Sequence, residues 1–150
     1  MLLEKTYAKV YGSYMRIIGG NPANALRDLT GAPSEKSDHR MFDSEDELWD
    51  YLHSAEKRKW LLCCGSDNKT IKKLGGSKKS GIVGGHAYSI LDSRELLTEN
   101  GPVRLIQIRN PWAYNNPTLF LYIFLAAASG LAPEAITTTT GLNPLSTRSP

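Results

Sequence analysis

The chain has 150 residues, a length that is typical of one domain and that lets it bury roughly 70% of its unfolded surface. Its 41% hydrophobic and 22% charged residues are close to the globular average and exclude a disordered, collagen-like or coiled-coil chain. The formal net charge is only +3, an excess too small to indicate a nucleic acid or an anionic membrane as partner.

The first predicted element is a helix at the start of the chain. Apolar side chains at spacings of three and four form one stripe on it: Leu2, Leu3, Tyr7, Val10, Tyr11 and Tyr14. It lacks an N-terminal cap, which indicates either that the chain begins inside a larger structure or that the helix frays. Gly19 and Gly20 are predicted to end this element. Asn21 and Pro22 then predict a short second helix that ends at Gly31.

A third helix carries the clearest start signal. After a predicted loop over residues 32–41, Ser44 is placed to cap the helix, and Glu47 to reach back to the Ser44 amide. The buried stripe behind this cap is Leu48, Leu52 and Ala55. The apolar run at residues 60–64 predicts a buried strand. Residues 68–80 contain five lysines and predict a solvated loop, without the Gly-Lys-Ser/Thr sequence of a phosphate-binding loop.

The two cysteines, Cys63 and Cys64, are adjacent, so they offer no framework of disulfides. A reducing compartment therefore fits best. At the N-terminus, apolar residues 1–3 run directly into Glu4 and Lys5, without the basic region and the long apolar stretch of a signal peptide, and we expect a cytoplasmic location. We interpret both cysteines as core residues, because burial in an apolar strand raises the pKa of a thiol and makes it a poor nucleophile.

Two further strands, at residues 85–91 and 104–109, predict an antiparallel hairpin. Their alternation brings His86 and Asn110 together if the two inward faces coincide, although the sequence does not fix the register. A histidine that acts as base for a thiol needs an acceptor on its second ring nitrogen, and an asparagine amide provides one without adding charge. Trp112 is placed to cover such a hydrogen bond and exclude water.

Four separated segments resemble, in order, landmarks of the calpain family of cysteine proteases. They are LLEKTYAK at residues 2–9, the Gly19-Gly20 pair with DLTG at residues 28–31, GHAYS at residues 85–89 and RNPW at residues 109–112. The resemblance implies an α+β fold, that of the second subdomain of a papain-like catalytic core. N-terminal helices would pack on an antiparallel β-sheet that is incomplete after Arg109.

By the same resemblance, His86 corresponds to the general base, Asn110 to the residue that orients it, and Trp112 to the tryptophan beside the cleft. The family's nucleophilic cysteine and its oxyanion glutamine belong to the first subdomain, and no matching segment occurs in this sequence. We therefore expect a fragment of a calcium-dependent endopeptidase that acts on proteins, inactive without its Cys-bearing subdomain. The alternative is a catalytically inactive protein-binding module.

The last 38 residues differ from the rest in composition. Glu134 and Arg148 are the only charged residues in them, so we predict a boundary between a catalytic fragment at residues 1–112 and a tail at residues 113–150. With one acid after Trp112, the family's calcium site cannot be placed. The uncharged run 119–131 has three interpretations: a helix or strand that covers the sheet edge, a membrane segment, or an altered end that does not pack. Residues from Thr137 onward are predicted to be loose.

Overall fold

The computed structural model describes residues 2–112, 120–124 and 136–141. In chain order these form α1 (Leu2–Tyr11), α2 (Pro22–Thr30), β1 (Ser34–Asp38), α3 (Glu45–Lys57), β2 (Leu61–Ser66), α4 (Asn68–Lys73), α5 (Ser77–Ser80), β3 (Ala87–Thr98), β4 (Gly101–Arg109), β5 (Phe120–Phe124) and β6 (Ile136–Gly141). Short 3-10 helices lie at Tyr14–Ile17 and His39–Met41. Helices packed on a sheet confirm the predicted α+β class.

The strands form one six-stranded sheet in the order β1-β6-β2-β3-β4-β5, and each neighbouring pair is antiparallel. β3 and β4 are the predicted hairpin, joined by a turn at Glu99 and Asn100. The register pairs Ser89 with Arg109 and Ile90 with Ile108, and shifts at a bulge between Ile90 and Asp92. The hairpin therefore stays regular at the end that carries His86 and Asn110.

The core lies between α3 and the central strands. The predicted stripe of α3 is buried, and Trp49 joins it. It packs in one cluster with alternate side chains of β2, β3 and β4: Leu62, Cys64, Tyr88, Ile90, Ile106 and Ile108. Because side chains of a strand alternate between faces, every second residue of these strands contributes to the same apolar layer.

The predicted helix caps are present. The Asn21 side chain accepts a hydrogen bond from the Ala23 N–H, and α2 ends at Gly31 in the left-handed conformation. The Ser44 hydroxyl accepts from the Glu47 N–H at 3.1 Å. The carboxylate of Glu47 accepts from the Asp43 N–H rather than from the Ser44 amide, which corrects one detail of the predicted cap.

The first helix is shorter and less buried than its apolar stripe predicts. α1 ends at Tyr11, because Gly12 follows it with φ +93° and turns the chain. Ala8 is the buried residue of α1, whereas Leu2 is 84% exposed. Tyr7 and Tyr11 instead donate hydrogen bonds to the carboxylate of Asp28 on α2.

Two segments predicted as loops contain regular structure. Residues 32–41 include β1, which pairs with β6 along its whole length although its sequence, SEKSD, has no apolar alternation. Residues 68–80 form α4 and α5. Asp67 caps α4 by accepting from the Thr70 N–H at 2.8 Å, and Ile71 anchors it in the core. The lysines of these helices whose side chains are described remain exposed: Lys69, Lys72, Lys73 and Lys78.

The tail contributes two strands. Phe120–Phe124 forms β5 and pairs with β4, so for these residues the strand that covers the sheet edge is the correct interpretation. Residues 119 and 125–131 lie outside the described residues. The prediction of a loose chain from Thr137 is wrong as far as Gly141, because β6 pairs on both sides, with β1 and β2. No helix in the described ranges combines the length and the apolar character that crossing a bilayer requires.

We expect Leu52→Ala to lower the free energy of unfolding by about 2–5 kcal/mol, because it leaves a cavity between α3 and the sheet. Leu52 is 2% exposed. The matched control is Leu97→Ala at a side chain that is 88% exposed, where we expect a change within about 0.5 kcal/mol. Urea unfolding followed by circular dichroism measures both, and equal losses would contradict the described core.

Candidate functional site

His86 and Asn110 meet at one end of the β3–β4 hairpin. His86 immediately precedes β3, and Asn110 immediately follows β4. The pairing of Ser89 with Arg109 brings these two positions to the same edge of the sheet. His86 Nε2 lies 2.7 Å from Asn110 Oδ1, a hydrogen-bond distance, and both side chains are partly buried. The convergence that the strand alternation predicts is therefore present.

A second hydrogen bond identifies the atoms of this contact. The backbone N–H of Trp112 donates to the same Asn110 Oδ1 at 3.0 Å. Because a backbone N–H can only donate, the amide atom that faces it is the oxygen and not the NH2 group. His86 Nε2 must therefore carry a proton and donate it, so in the neutral ring the lone pair is on Nδ1. Asn110 thus selects one tautomer of His86.

Two aromatic rings fix the plane of the imidazole. The ring of Tyr88 meets it edge-on, with centroids 4.9 Å apart, and the ring of Trp112 lies tilted over it at 4.3 Å. The Trp112 ring lies against one side of the imidazole, but Trp112 is itself 59% exposed. It therefore shields the His86–Asn110 hydrogen bond only in part.

Ser66, at the end of β2, holds the backbone of the segment that carries His86. Its hydroxyl donates to the Val83 carbonyl at 2.6 Å and accepts from the His86 N–H at 3.2 Å. Its backbone N–H donates to the His86 carbonyl at 2.9 Å, and its carbonyl accepts from the Gly85 N–H at 2.9 Å. Sequence reasoning missed Ser66, because only the pairing of β2 with β3 places it there.

Asn68 packs against the two glycines that precede His86. A Cβ added to Gly84 would lie 2.6 Å from Asn68 Oδ1 and 3.0 Å from Asn68 Cα, and one added to Gly85 would lie 2.6 Å from Asn68 Nδ2. Gly85 also has φ +66°, a conformation that favours glycine. The Gly-Gly pair in the sequence is the signal that could have indicated this close approach.

A cavity of about 420 Å³ opens beside His86. The start of α2 forms one wall, and the ends of β2 and β3 form another. Its described lining residues are Gly20, Asn21, Pro22, Lys36, Gly65, Ser66, Gly85, His86 and Ala87. Small side chains and glycines dominate the lining and leave room for a ligand chain next to the imidazole.

The two cysteines are poor nucleophiles where they lie. Both are free thiols in β2, and Cys64 is 2% exposed. Burial, together with the neighbouring Cys63 thiol, raises the pKa of Cys64 to about 12. Burial also raises the pKa of Cys63, which is partly exposed. The interpretation of Cys64 as a core residue is confirmed, whereas Cys63 lies at the margin of the core.

Among the described residues, no three His, Cys, Asp or Glu side chains are grouped closely enough to hold a metal ion. Calcium in the intact enzyme therefore stays a prediction from the resemblance.

Residues 1–117 match the family model described as calpain family cysteine protease. The chain belongs to the calpain family. It is 43% identical to the calpain-type cysteine protease DEK1 of Zea mays over 117 residues, which is 75% of this chain and 5% of that protein. It is 38% identical to the calpain-1 catalytic subunit of Rattus norvegicus over 111 residues, or 74% of this chain and 15% of that protein. The chain thus spans a small part of these calpain relatives.

We expect Asn110→Ala to abolish the tautomer selection at His86 in this calpain-family chain. Without the amide oxygen, Nε2 loses its acceptor, and the neutral ring exchanges between both tautomers. Nitrogen-15 NMR of labelled histidine measures this directly. In the unmodified protein, the chemical shifts should show that the Nε2–H form dominates. In the variant, the chemical shifts of the two ring nitrogens should become more similar to each other. His53, whose Nδ1 lies 2.8 Å from Ser93 Oγ, is the internal control that should not change.

We expect iodoacetamide at pH 8 to modify Cys63 before Cys64. The thiolate is the reactive form, and a pKa of about 12 lowers the thiolate fraction of Cys64 about a thousandfold relative to a thiol with the ordinary value of 9.0. Mass spectrometry of tryptic peptides from the single variants Cys63→Ser and Cys64→Ser measures each rate. Rapid labelling of Cys64 in the folded Cys63→Ser variant would contradict its assignment to the core.

Proposed function

We propose that this chain supplies the general base and its orienting residue to a calpain-type cysteine endopeptidase, whose nucleophilic cysteine comes from another segment. The hydrogen bond of 2.7 Å between His86 Nε2 and Asn110 Oδ1 carries the proposal. It leaves the lone pair of His86 Nδ1 free, which is the atom that a thiol proton would reach. The family membership supplies the reaction class.

The proposed steps follow from this geometry. His86 Nδ1 takes the proton of the incoming thiol, and the thiolate attacks the carbonyl carbon of the scissile peptide bond. The imidazolium then gives that proton to the leaving amine nitrogen as the bond to it breaks. Asn110 holds the ring through Nε2 during both transfers and adds no charge to the site.

The burial and position of the two thiols in this chain support a nucleophilic cysteine that comes from another segment. Cys64 is buried in the core with a raised pKa, and Cys63 lies within β2 rather than at the N-terminus of a helix, where a thiol pKa would be lowered. We therefore propose a Cys-bearing subdomain as the partner of this chain, and we expect the chain alone to be inactive. Protein substrates are proposed for the complete enzyme.

A calcium requirement of the complete enzyme is part of the proposal by resemblance alone. In the part of the chain that the structure describes, no three His, Cys, Asp or Glu side chains are grouped closely enough to hold a metal ion, and no step of the proposed mechanism is assigned to calcium. A reducing, cytoplasmic location is also proposed, and the two free thiols support it.

A second candidate function is a non-catalytic module that binds a protein partner. It is supported by exposed apolar side chains on and after α1, with Leu2, Leu3, Val10 and Met15 in contact with solvent. In this case the partner would bind equally well when His86 is replaced.

A complementation assay tests the proposal. The purified chain is mixed with the separately produced Cys-bearing subdomain of a calpain relative, and cleavage of a fluorogenic peptide is followed with reductant and calcium present. We expect no cleavage by either part alone, cleavage by the mixture, and a loss of at least about a thousandfold with His86→Ala.

The matched control is His39→Gln, at a histidine in the 3-10 helix away from the His86–Asn110 pair, which should retain cleavage. A mixture that binds but does not cleave, with the same affinity for His86→Ala, would replace the protease proposal by the binding module. Cleavage by the chain alone that is lost on Cys63→Ser would contradict an external nucleophile.

A further inference from the structure

Lys36 is the one lysine or arginine among the described residues that line the cavity beside His86. Of the residues of β1, Lys36 lines this cavity. Apart from His86, the other described lining residues are glycine, alanine, proline, serine and asparagine, which carry no charge. No Asp or Glu is among these lining residues, so Lys36 is the described lining residue that would attract an anion to the cavity.

Within the described residues, Lys36 makes no ion pair. The nearest acid on the same face of β1 is Asp38, two residues further along the strand. Both carboxylate oxygens of Asp38 already accept from the Arg40 guanidinium at 2.9 Å, which holds the pKa of Asp38 well below its ordinary value. The Lys36 ammonium is thus available to an incoming anion.

The size and walls of the cavity suit a side chain of an extended peptide. Its volume of about 420 Å³ exceeds that of any single side chain, and Gly65 and Ala87, which pair with each other in β2 and β3, leave its sheet side flat. A substrate that presents its scissile bond to His86 would place a neighbouring side chain here.

We propose that Lys36 makes this cavity select a substrate residue with a carboxylate side chain, aspartate or glutamate, near the scissile bond. The inference rests on the proposed function, because it assumes that a peptide lies against His86. Lys36 acts on substrate choice and has no part in the proton transfers. The cavity is open to solvent, so we expect a preference of about two- to fivefold for Glu over Gln, in the range of exposed ion pairs.

The test compares paired peptides that differ by Glu or Gln at one of the three positions on either side of the cleaved bond. Binding of each fluorescent peptide to the full chain is measured by anisotropy, and kcat/KM is measured in the two-component enzyme. At one position, Glu should be preferred about two- to fivefold at low salt, and less in 0.5 M salt. Lys36→Met should remove the preference, Lys36→Arg should restore it, and Lys36→Glu should favour Lys over Gln there.

The matched control is Lys72→Met, which removes the same charge from the exposed face of α4 and should leave the preference unchanged. The ratio to compare is that of kcat/KM for the Glu peptide to kcat/KM for the Gln peptide. An equal ratio in the unmodified chain and in Lys36→Met, while cleavage is intact, would overturn the role of Lys36 and leave the protease proposal standing. A Lys36-dependent preference in binding, without cleavage in the complemented mixture, would support the acidic selectivity and overturn the protease proposal instead.

Discussion

The antiparallel pairing of Ser89 with Arg109 is the constraint that ties the core of this protein to its candidate site. One face of the hairpin buries Ile90 and Ile108, the latter to 1% exposure, and the same register brings His86 and Asn110 together beyond the paired residues. A slip of one residue would turn the buried isoleucines toward the opposite face and separate the imidazole from its amide. The hydrophobic effect therefore maintains the geometry of the site, although neither polar side chain contributes to the core.

The segment before His86 is held from three directions. Ser66 of β2 binds its backbone, Tyr88 of β3 accepts from the Val83 N–H at 2.8 Å, and Asn68 of α4 fills the space above the glycines. Each contact comes from a different element. The position of the imidazole therefore depends on the packing of several elements rather than on the conformation of one loop. Such support from neighbouring elements is what a proton-transfer group requires, since small displacements cost large factors in rate.

The sequence predicted the parts of the structure that depend on local patterns. Asn21, Pro22 and Gly31 marked α2, and the alternation around His86 marked the hairpin. It missed β1, because a polar strand has no periodic signal and owes its structure to β6, which is distant in sequence. The register of β2 with β3 could not be predicted from the sequence either, because tertiary packing determines which strands pair. The role of Ser66 depends on that register and was missed with it. The apolar stripe of α1 predicted more burial than the structure has. Periodicity indicates a helix, but it does not ensure that another surface covers the apolar face.

In this site, the residue that orients the imidazole, Asn110, carries no charge, and the charged residue that lines the cavity is Lys36. An aspartate in place of Asn110 would also hold the imidazole, but its negative charge would stabilise the imidazolium and oppose an acidic substrate in the adjoining cavity. The neutral amide avoids both effects. Lys36, the lysine that lines the cavity, lies on a different strand and makes no hydrogen bond with His86 or Asn110 within the described residues. In the proposed enzyme, substitutions at Lys36 would change which peptides are accepted without disturbing the tautomer of His86. The tautomer of His86 is set at the β3–β4 end of the sheet, and the charge proposed to meet the substrate lies on β1.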